Sequence, residues 1–298
     1  MAQYLCPMLT ALNLDGTVDF DGMHREYERL IKAEIDGIVI LGSSGEFYAF
    51  DEKTILEIVE DAVKYVDKRV KLFAGTGRMS MDETIRISNT AVELGVDAVM
   101  IVGPYYIQTS PRGIYEYYNT IAKEINGDIY IYNYPENTGY DVSGDTILKL
   151  IEENSNIIGL KDTVPAAVHT EDLIVKIKEK HQDFKIYTGY DNNFVSVVLS
   201  GGDGCIGALS NVVPEICKGL AIDIKNGDLE SITVKKRFID RLMELYTVSV
   251  PFMPAMKYLL NSMGVTMTEY CFYPAEWLDL RQIERVESLK KYILKNSI

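Results

Sequence analysis

Short runs of apolar residues alternate with longer amphipathic stretches from the N-terminus to about residue 226. The runs cover residues 4–9, 37–41, 70–74, 97–102, 128–133, 157–161, 184–188 and 204–208, each followed by a segment of helix length. Near-continuous apolar runs suit strands covered on both faces, the environment of a parallel sheet. Eight such β–α units match the count of a (β/α)8 barrel, an α/β fold. An open doubly wound sheet usually has fewer strands and often an early Gly-rich turn. No GxGxxG follows the first run, so the pattern predicts the barrel.

Helix boundaries are written into the sequence. Ser80-Met81-Asp82-Glu83 has the form of a capping box opening a helix to about Leu94. Ser110-Pro111 supplies an N-cap and an N1 proline, and Asp51 and Ser143 are placed to cap two more helices. Gly95 and Gly227 stand just past helix ends. After Gly227 the strand signals stop. Residues 228–246, 253–263 and 279–296 read as helices, the last with Leu280, Ile283, Leu289 and Ile293 on or near one face. The expected organisation is a catalytic barrel over 1–226 and a helical appendage over 227–298 packed on it, with no linker-like stretch between them.

Composition narrows the function. A chain of 298 residues, 47% apolar and 25% charged, has ample material for a single barrel core. It has no run of 18 apolar residues and no signal-peptide pattern, so a soluble cytoplasmic protein is expected. Its 44 acidic and 30 basic residues give a net charge of −14, which repels nucleic acid and anionic lipid; neither is an expected partner. An anionic small substrate then needs local positive features, such as oriented N–H groups or a cationic intermediate. Cys6, Cys205, Cys217 and Cys271 form no CxxC pair and read as buried thiols. His24, His169 and His181 lie in stretches that read as helices, without HxH or HxxxH spacing. No metal is therefore expected, which weighs against a metal-dependent aldolase.

Lys161 carries the chemistry. It closes Asn156-Ile157-Ile158-Gly159-Leu160-Lys161, where an ammonium is costly unless paired or neutral. A neutral lysine in a pocket is a nucleophile able to condense with a ketone as a Schiff base. A salt bridge at the strand end, for example to Asp162, is the structural alternative. Tyr132 ends the preceding strand, so amine and phenol share a rim if the two strands are neighbours. Gly42-Ser43-Ser44-Gly45-Glu46, after the second strand, offers two hydroxyls and free N–H groups to a carboxylate or phosphate.

Four segments together, 42–46 (GSSGE), 104–106 (PYY), 132–135 (YNYP) and 159–163 (GLKDT), resemble the dihydrodipicolinate synthase / N-acetylneuraminate lyase superfamily. The resemblance covers nearly the whole chain, including Gly201-Gly202-Asp203-Gly204 and the helical tail. It implies a class I, pyruvate-dependent aldolase or lyase with no cofactor beyond the covalent lysine–pyruvate Schiff base, assembled as a homotetramer of tight dimers. By that resemblance Lys161 is the Schiff-base lysine and Tyr132 the proton shuttle. Ser43 and Ser44 belong to the loop that holds the pyruvate carboxylate, and Ile206 lines the pyruvyl group. Tyr106 matches a tyrosine that a neighbouring subunit lends to a relay through Ser43 to Tyr132.

Dihydrodipicolinate synthases of this superfamily typically carry an arginine just before the Thr-Gly that follows YNxP, for the second substrate's carboxylate. Here Asn137 stands there, beside Glu136, and an amide cannot replace a bidentate guanidinium unless Arg78 or Arg112 reaches in. Met79 stands where lysine-regulated members tend to have asparagine, which argues against lysine feedback. YNYP with Thr138-Gly139, GLKDT and Gly189-Tyr190-Asp191 are closer to the 2-keto-3-deoxy sugar acid aldolases, although N-acetylneuraminate lyases share the last. Gly189, Asp191 and Asn192 are candidates for binding a polyhydroxylated chain, with an N-cap role for Asp191 as the alternative. The expected function is reversible cleavage of a 2-keto-3-deoxy sugar acid, of gluconate or galactonate type, to pyruvate and an aldehyde. The runners-up are 4-hydroxy-tetrahydrodipicolinate synthase, N-acetylneuraminate lyase and a catalytically silent barrel.

Overall fold

The computed structural model of the chain describes residues 2–296. Strands β1 (Gln3–Pro7), β2 (Gly37–Ile40), β3 (Lys71–Gly75), β4 (Ala98–Val102), β5 (Ile129–Asn133), β6 (Ile157–Asp162), β7 (Lys185–Thr188) and β8 (Gly204–Ile206) form a closed parallel barrel in sequence order. Pairing of β8 back onto β1 closes it. Helices α1 (Phe20–Lys32), α2 (Glu52–Val66), α3 (Met81–Leu94) and α4 (Pro111–Glu124) follow the first four strands. The single turn α5 (Pro135–Thr138) and helix α6 (Gly144–Glu153) follow β5. Then come α7 (Ala167–Lys178), α8 (Phe194–Leu199) and α9 (Pro214–Asn226) after the last three strands. Helices α10 (Leu229–Leu242), α11 (Met253–Ser262) and α12 (Leu280–Asn296) make up the tail.

The capping signals do what their chemistry suggests. The side chains of Ser80, Ser110, Asp51 and Ser143 accept from the N–H groups of Glu83, Gly113, Thr54 and Thr146. Gly95 and Gly227 end their helices at positive φ, 116° and 70°. Three expectations shift. The first and last strands stop at Pro7 and Ile206, two residues before their apolar runs end, because Leu9 N–H turns to Asn211 Oδ1 and Ala208 opens a 3-10 turn. Met8 N–H still donates to Val39 O, and Met8, Leu9 and Ala208 are buried. His181 lies beyond the end of α7 at Lys178, outside any helix. Leu280 is exposed, while Val286, Leu289 and Ile293 form the packed face of α12.

The join that positions the site is between β5 and β6. Tyr132 pairs in register with Lys161 and Asn133 with Asp162. Alternation along a strand sends neighbours to opposite faces, so Tyr132 and Lys161 point one way and Asn133 and Asp162 the other. On the outer side Asn133 Nδ2 donates to Asp162 Oδ1 at 2.9 Å and to Asp141 Oδ1 at 2.7 Å. Thr170 and His169, from α7, reach Asp162 Oδ2 at 2.6 and 2.9 Å. His169 Nε2 also lies 3.3 Å from Asp141 Oδ1.

Hydrogen bonds to Asp141 and Asp162 push the His169 imidazole up to about 10, so it is an imidazolium at neutral pH. Burial alone pushes the Asp141 carboxyl up, but hydrogen bonds from His169 and Asn133 outweigh it and hold the group below its usual range. A histidine whose folded pKa lies above its unfolded value of 6.5 stabilises fully below that pH and loses the contribution as pH rises through about 10. His169→Gln is therefore expected to lower the thermal midpoint most near pH 6. The gap to the wild type should close as pH passes about 10. A gap that stays constant in thermal melts across this range would contradict the charged bridge.

Candidate active site

Lys161 ends the inward row of β6 with only 5% of its surface exposed. Its Nζ lies 4.2 Å from the centroid of the Tyr132 ring. Among the described residues no carboxylate lies within ion-pair distance of it, and Asp162 is turned outward to Asn133, Thr170 and His169. The salt-bridge alternative for Lys161 is thus excluded by strand alternation. The Tyr132 hydroxyl is 3.4 Å from Ser43 Oγ, and its ring stacks on that of Tyr134 with centroids 5.8 Å apart.

Ser43 and Ser44 lie on a loop folded back on itself. The N–H groups of Gly45 and Phe47 donate to Gly42 O and that of Glu46 to Ser43 O. The N–H groups of Ser43 and Ser44 have no backbone partner among the described residues. The loop therefore offers two hydroxyls and the Ser43 and Ser44 amides, a cradle of the kind that accepts a carboxylate. Leu41 and Glu46 bracket the loop at φ 56° each, a left-handed conformation that costs about 1–2 kcal/mol per non-glycine residue. Surrounding contacts hold it there: Thr10 Oγ1 donates to Gly45 O and Arg78 Nη1 to Phe47 O.

These groups open into one cleft of about 650 Å3 at the C-terminal rim of the barrel. Ser43, Ser44, Tyr132, Lys161, Gly189 and Ile206 all line it. Thr163 lines it too, a residue not singled out from the sequence beyond its place in the GLKDT segment. It stands two after Lys161, and among the described residues its buried hydroxyl has no hydrogen-bond partner. Gly189 is required beside it, since a Cβ there would come within 2.0 Å of Thr163 Oγ1. The tail supplies a further wall through Tyr246, Val250, Phe252 and Met253, so the appendage is part of the site.

One expectation fails. Asp191 is fully buried and does not line it. Its oxygens accept from Tyr4 and Tyr246 hydroxyls, both at 2.5 Å, and from Leu209 N–H. Nor does it cap a helix through its side chain. Burial pushes this carboxyl up, against the hydrogen bonds from Tyr246 and Tyr4. Its role is to tie β1, the turn after β8 and the tail together beneath the cleft. Tyr106, expected to act from a neighbouring subunit, is 91% exposed at φ 73° and does not line this chain's own cleft, where Tyr105 does.

Charge in the cleft is sparse. Among its lining residues Lys161 is the only cation and Glu136 the only anion. Glu136 Oε2 accepts from Tyr190 at 3.1 Å, and burial followed by Glu136 pushes that phenol up to about 12, so it stays a donor. Asn137 lines the cleft, whereas Arg78 is engaged with Phe47 O and the exposed Arg112 with Glu116. Among the described residues no group of three or more His, Cys, Asp or Glu could hold a metal ion, and no helix is long and apolar enough to cross a membrane.

Comparison with known proteins fits this geometry. Residues 1–292 match the model of the dihydrodipicolinate synthetase family. The chain is 32% identical over 268 residues to YjhH of Escherichia coli, named a probable 2-dehydro-3-deoxy-D-pentonate aldolase, covering 90% of this chain and 89% of that protein. It is 31% identical over 280 residues to a 4-hydroxy-tetrahydrodipicolinate synthase of Hydrogenobaculum, covering 94% and 95%. The crystal structure of YagE, a prophage protein of Escherichia coli in complex with pyruvate, superposes with a TM-score of 0.95 at 29% identity, covering 100% of this chain and 99% of that one. The barrel, the lysine at its rim and the end-to-end match lead to one conclusion: the chain belongs to the dihydrodipicolinate synthetase family and is a lyase.

Proposed function

We propose that the protein is a class I aldolase that reversibly cleaves an unphosphorylated 2-keto-3-deoxy sugar acid to pyruvate and a neutral aldehyde. One observation carries the reading: among the described residues, the lining of the cleft holds no basic side chain beyond Lys161. A second substrate with its own carboxylate or phosphate would enter an acceptor half whose only formal charge is the anion Glu136. Desolvating such an anion without a partner is costly. Hydroxyl groups, in contrast, meet Thr163, Tyr190 and Asn137, each able to donate or accept.

Ser43 and Ser44 would hold the pyruvyl carboxylate through the hydroxyl and amide cradle, with Ile206 against the C3 side. Neutral Lys161 attacks the C2 ketone; loss of water from the carbinolamine gives the iminium, which is the electron sink. Tyr132 removes the proton of the C4 hydroxyl as the C3–C4 bond breaks and the aldehyde leaves. The bond's electron pair passes to the enamine. Protonation of that enamine at C3 and hydrolysis of the iminium release pyruvate and restore the amine. The 3.4 Å contact between Tyr132 and Ser43 gives the phenol a route for its proton. Tyr106 would join that relay only from a second copy of the chain, in the tetramer the family leads one to expect.

Tyr132→Phe should lower kcat by about 10²–10⁴ while pyruvate binding changes little, since general acid–base catalysis typically contributes that much. Steady-state kinetics with pyruvate inhibition constants measures both, and a mutant with normal turnover removes the phenol from the mechanism. A substrate panel tests the rest. Unphosphorylated gluconate- and galactonate-derived keto acids should be cleaved with kcat/KM at least about tenfold above their phosphorylated counterparts, a gap of roughly 1.4 kcal/mol. Condensation of pyruvate with aspartate semialdehyde, or cleavage of N-acetylneuraminate, as the preferred reaction would overturn the assignment.

A further inference from the structure

The barrel contains a fully buried ion pair outside the catalytic pair. Lys257 Nζ of α11 lies 2.6 Å from Glu46 Oε1, and both side chains are 0% exposed. Lys257 Nζ also donates to Tyr270 O at 2.8 Å, and Glu46 Oε2 accepts from Phe272 N–H at 2.7 Å. One carboxylate in the carboxylate-binding loop is thus gripped at both oxygens by the C-terminal tail, 211 and 226 residues away. Rings of Phe50 and Phe272 meet edge to face alongside, with centroids 5.2 Å apart.

A buried ion pair is a weak source of stability, since desolvation of both charges offsets their attraction; what it supplies well is a fixed geometry. Here the geometry concerns Glu46, two residues past Ser44 and held at φ 56°. Its own N–H closes the turn on Ser43 O. A loop strained into this shape needs outside contacts to keep it, and the clasp adds to those from Thr10 and Arg78 a grip on both oxygens of Glu46. Neither charge faces the cleft, so neither touches substrate.

We infer that Glu46 and Lys257 are positioning residues that hold the Ser43–Ser44 cradle in its carboxylate-binding shape, making the C-terminal tail part of the pyruvate-binding apparatus. The inference rests on the proposed role of that cradle. It separates two properties: affinity for the 2-oxo acid depends on the clasp, whereas the reactivity of Lys161, on the β6 rim, does not.

Glu46→Gln provides a near-isosteric test. Two donors, Lys257 Nζ and Phe272 N–H, face two oxygens, and an amide offers only one acceptor, so one contact must be lost. Glu46→Gln/Lys257→Met removes both charges and leaves no buried ion unpaired, which protects the fold. Each protein is titrated with pyruvate under borohydride, and the adduct on Lys161 is quantified beside a thermal melt. The half-saturating pyruvate concentration should rise about ten- to a hundredfold in the double variant and less in Glu46→Gln, as expected for a displaced binding group. The plateau of adduct should match the wild type. A purely structural pair would lower the melting temperature and leave half-saturation in place, and that result overturns the inference. If the double variant fails to fold, Glu46→Gln decides, and unchanged half-saturation there is equally fatal. Absence of any adduct in the wild type instead sinks the aldolase reading, and the clasp's role falls with it.

Discussion

Everything in this site depends on the register of β5 against β6. Pairing of Tyr132 with Lys161 brings a phenol and a primary amine to one rim, and alternation sends Asn133 and Asp162 to the opposite side. A slip of one residue would exchange the two sets and place a carboxylate where the amine must act. The outer network of Asn133, Asp141, Asp162 and His169 pins that register with charge-assisted hydrogen bonds. It also occupies Asp162, leaving the amine without a neighbouring counterion. Chemistry inside the barrel is thus set by satisfied polar groups outside it.

The second constraint is the polarity gradient of the cleft. Its buried lining carries the Lys161 amine, the Tyr132 phenol and the Ser44 and Thr163 hydroxyls, whereas Glu136 and Val250 are exposed. In the proposed mechanism a covalent iminium would supply the one positive charge a 2-oxo acid requires, which would reconcile an anionic substrate with a chain of net charge −14. The tail contributes to both ends of this gradient. It walls the mouth directly and reaches the base through Lys257 and Glu46. Asp191 makes a similar connection on the other side, through Tyr4 and Tyr246.

Much of this was legible in the sequence because it follows from periodicity and local chemistry. Eight apolar runs, four side-chain caps and the strand-end placement of Lys161 and Tyr132 need no long-range information. What escaped was long-range. Glu46 looked like the end of a Gly-Ser turn, and nothing local points to Lys257 as its partner. Asp191 looked like a sugar ligand or a cap because its loop follows a strand; only the fold brings Tyr4 and Tyr246 to its two oxygens. Thr163 carries one local signal, its distance of two from Lys161, but only the fold shows its hydroxyl lining the cleft. Tyr106 is exposed and outside the cleft of its own chain, so its motif places it near the site only through a second copy.

The central claim is that the Lys161 amine bonds covalently to a 2-oxo acid within reach of the Tyr132 phenol. Its most direct test is borohydride reduction of the wild-type protein with pyruvate, followed by peptide mass mapping. One reduced pyruvyl group per chain is expected, on the peptide carrying Lys161 and on no other lysine. Modification of a different lysine, or an unmodified protein at saturating pyruvate, would contradict it.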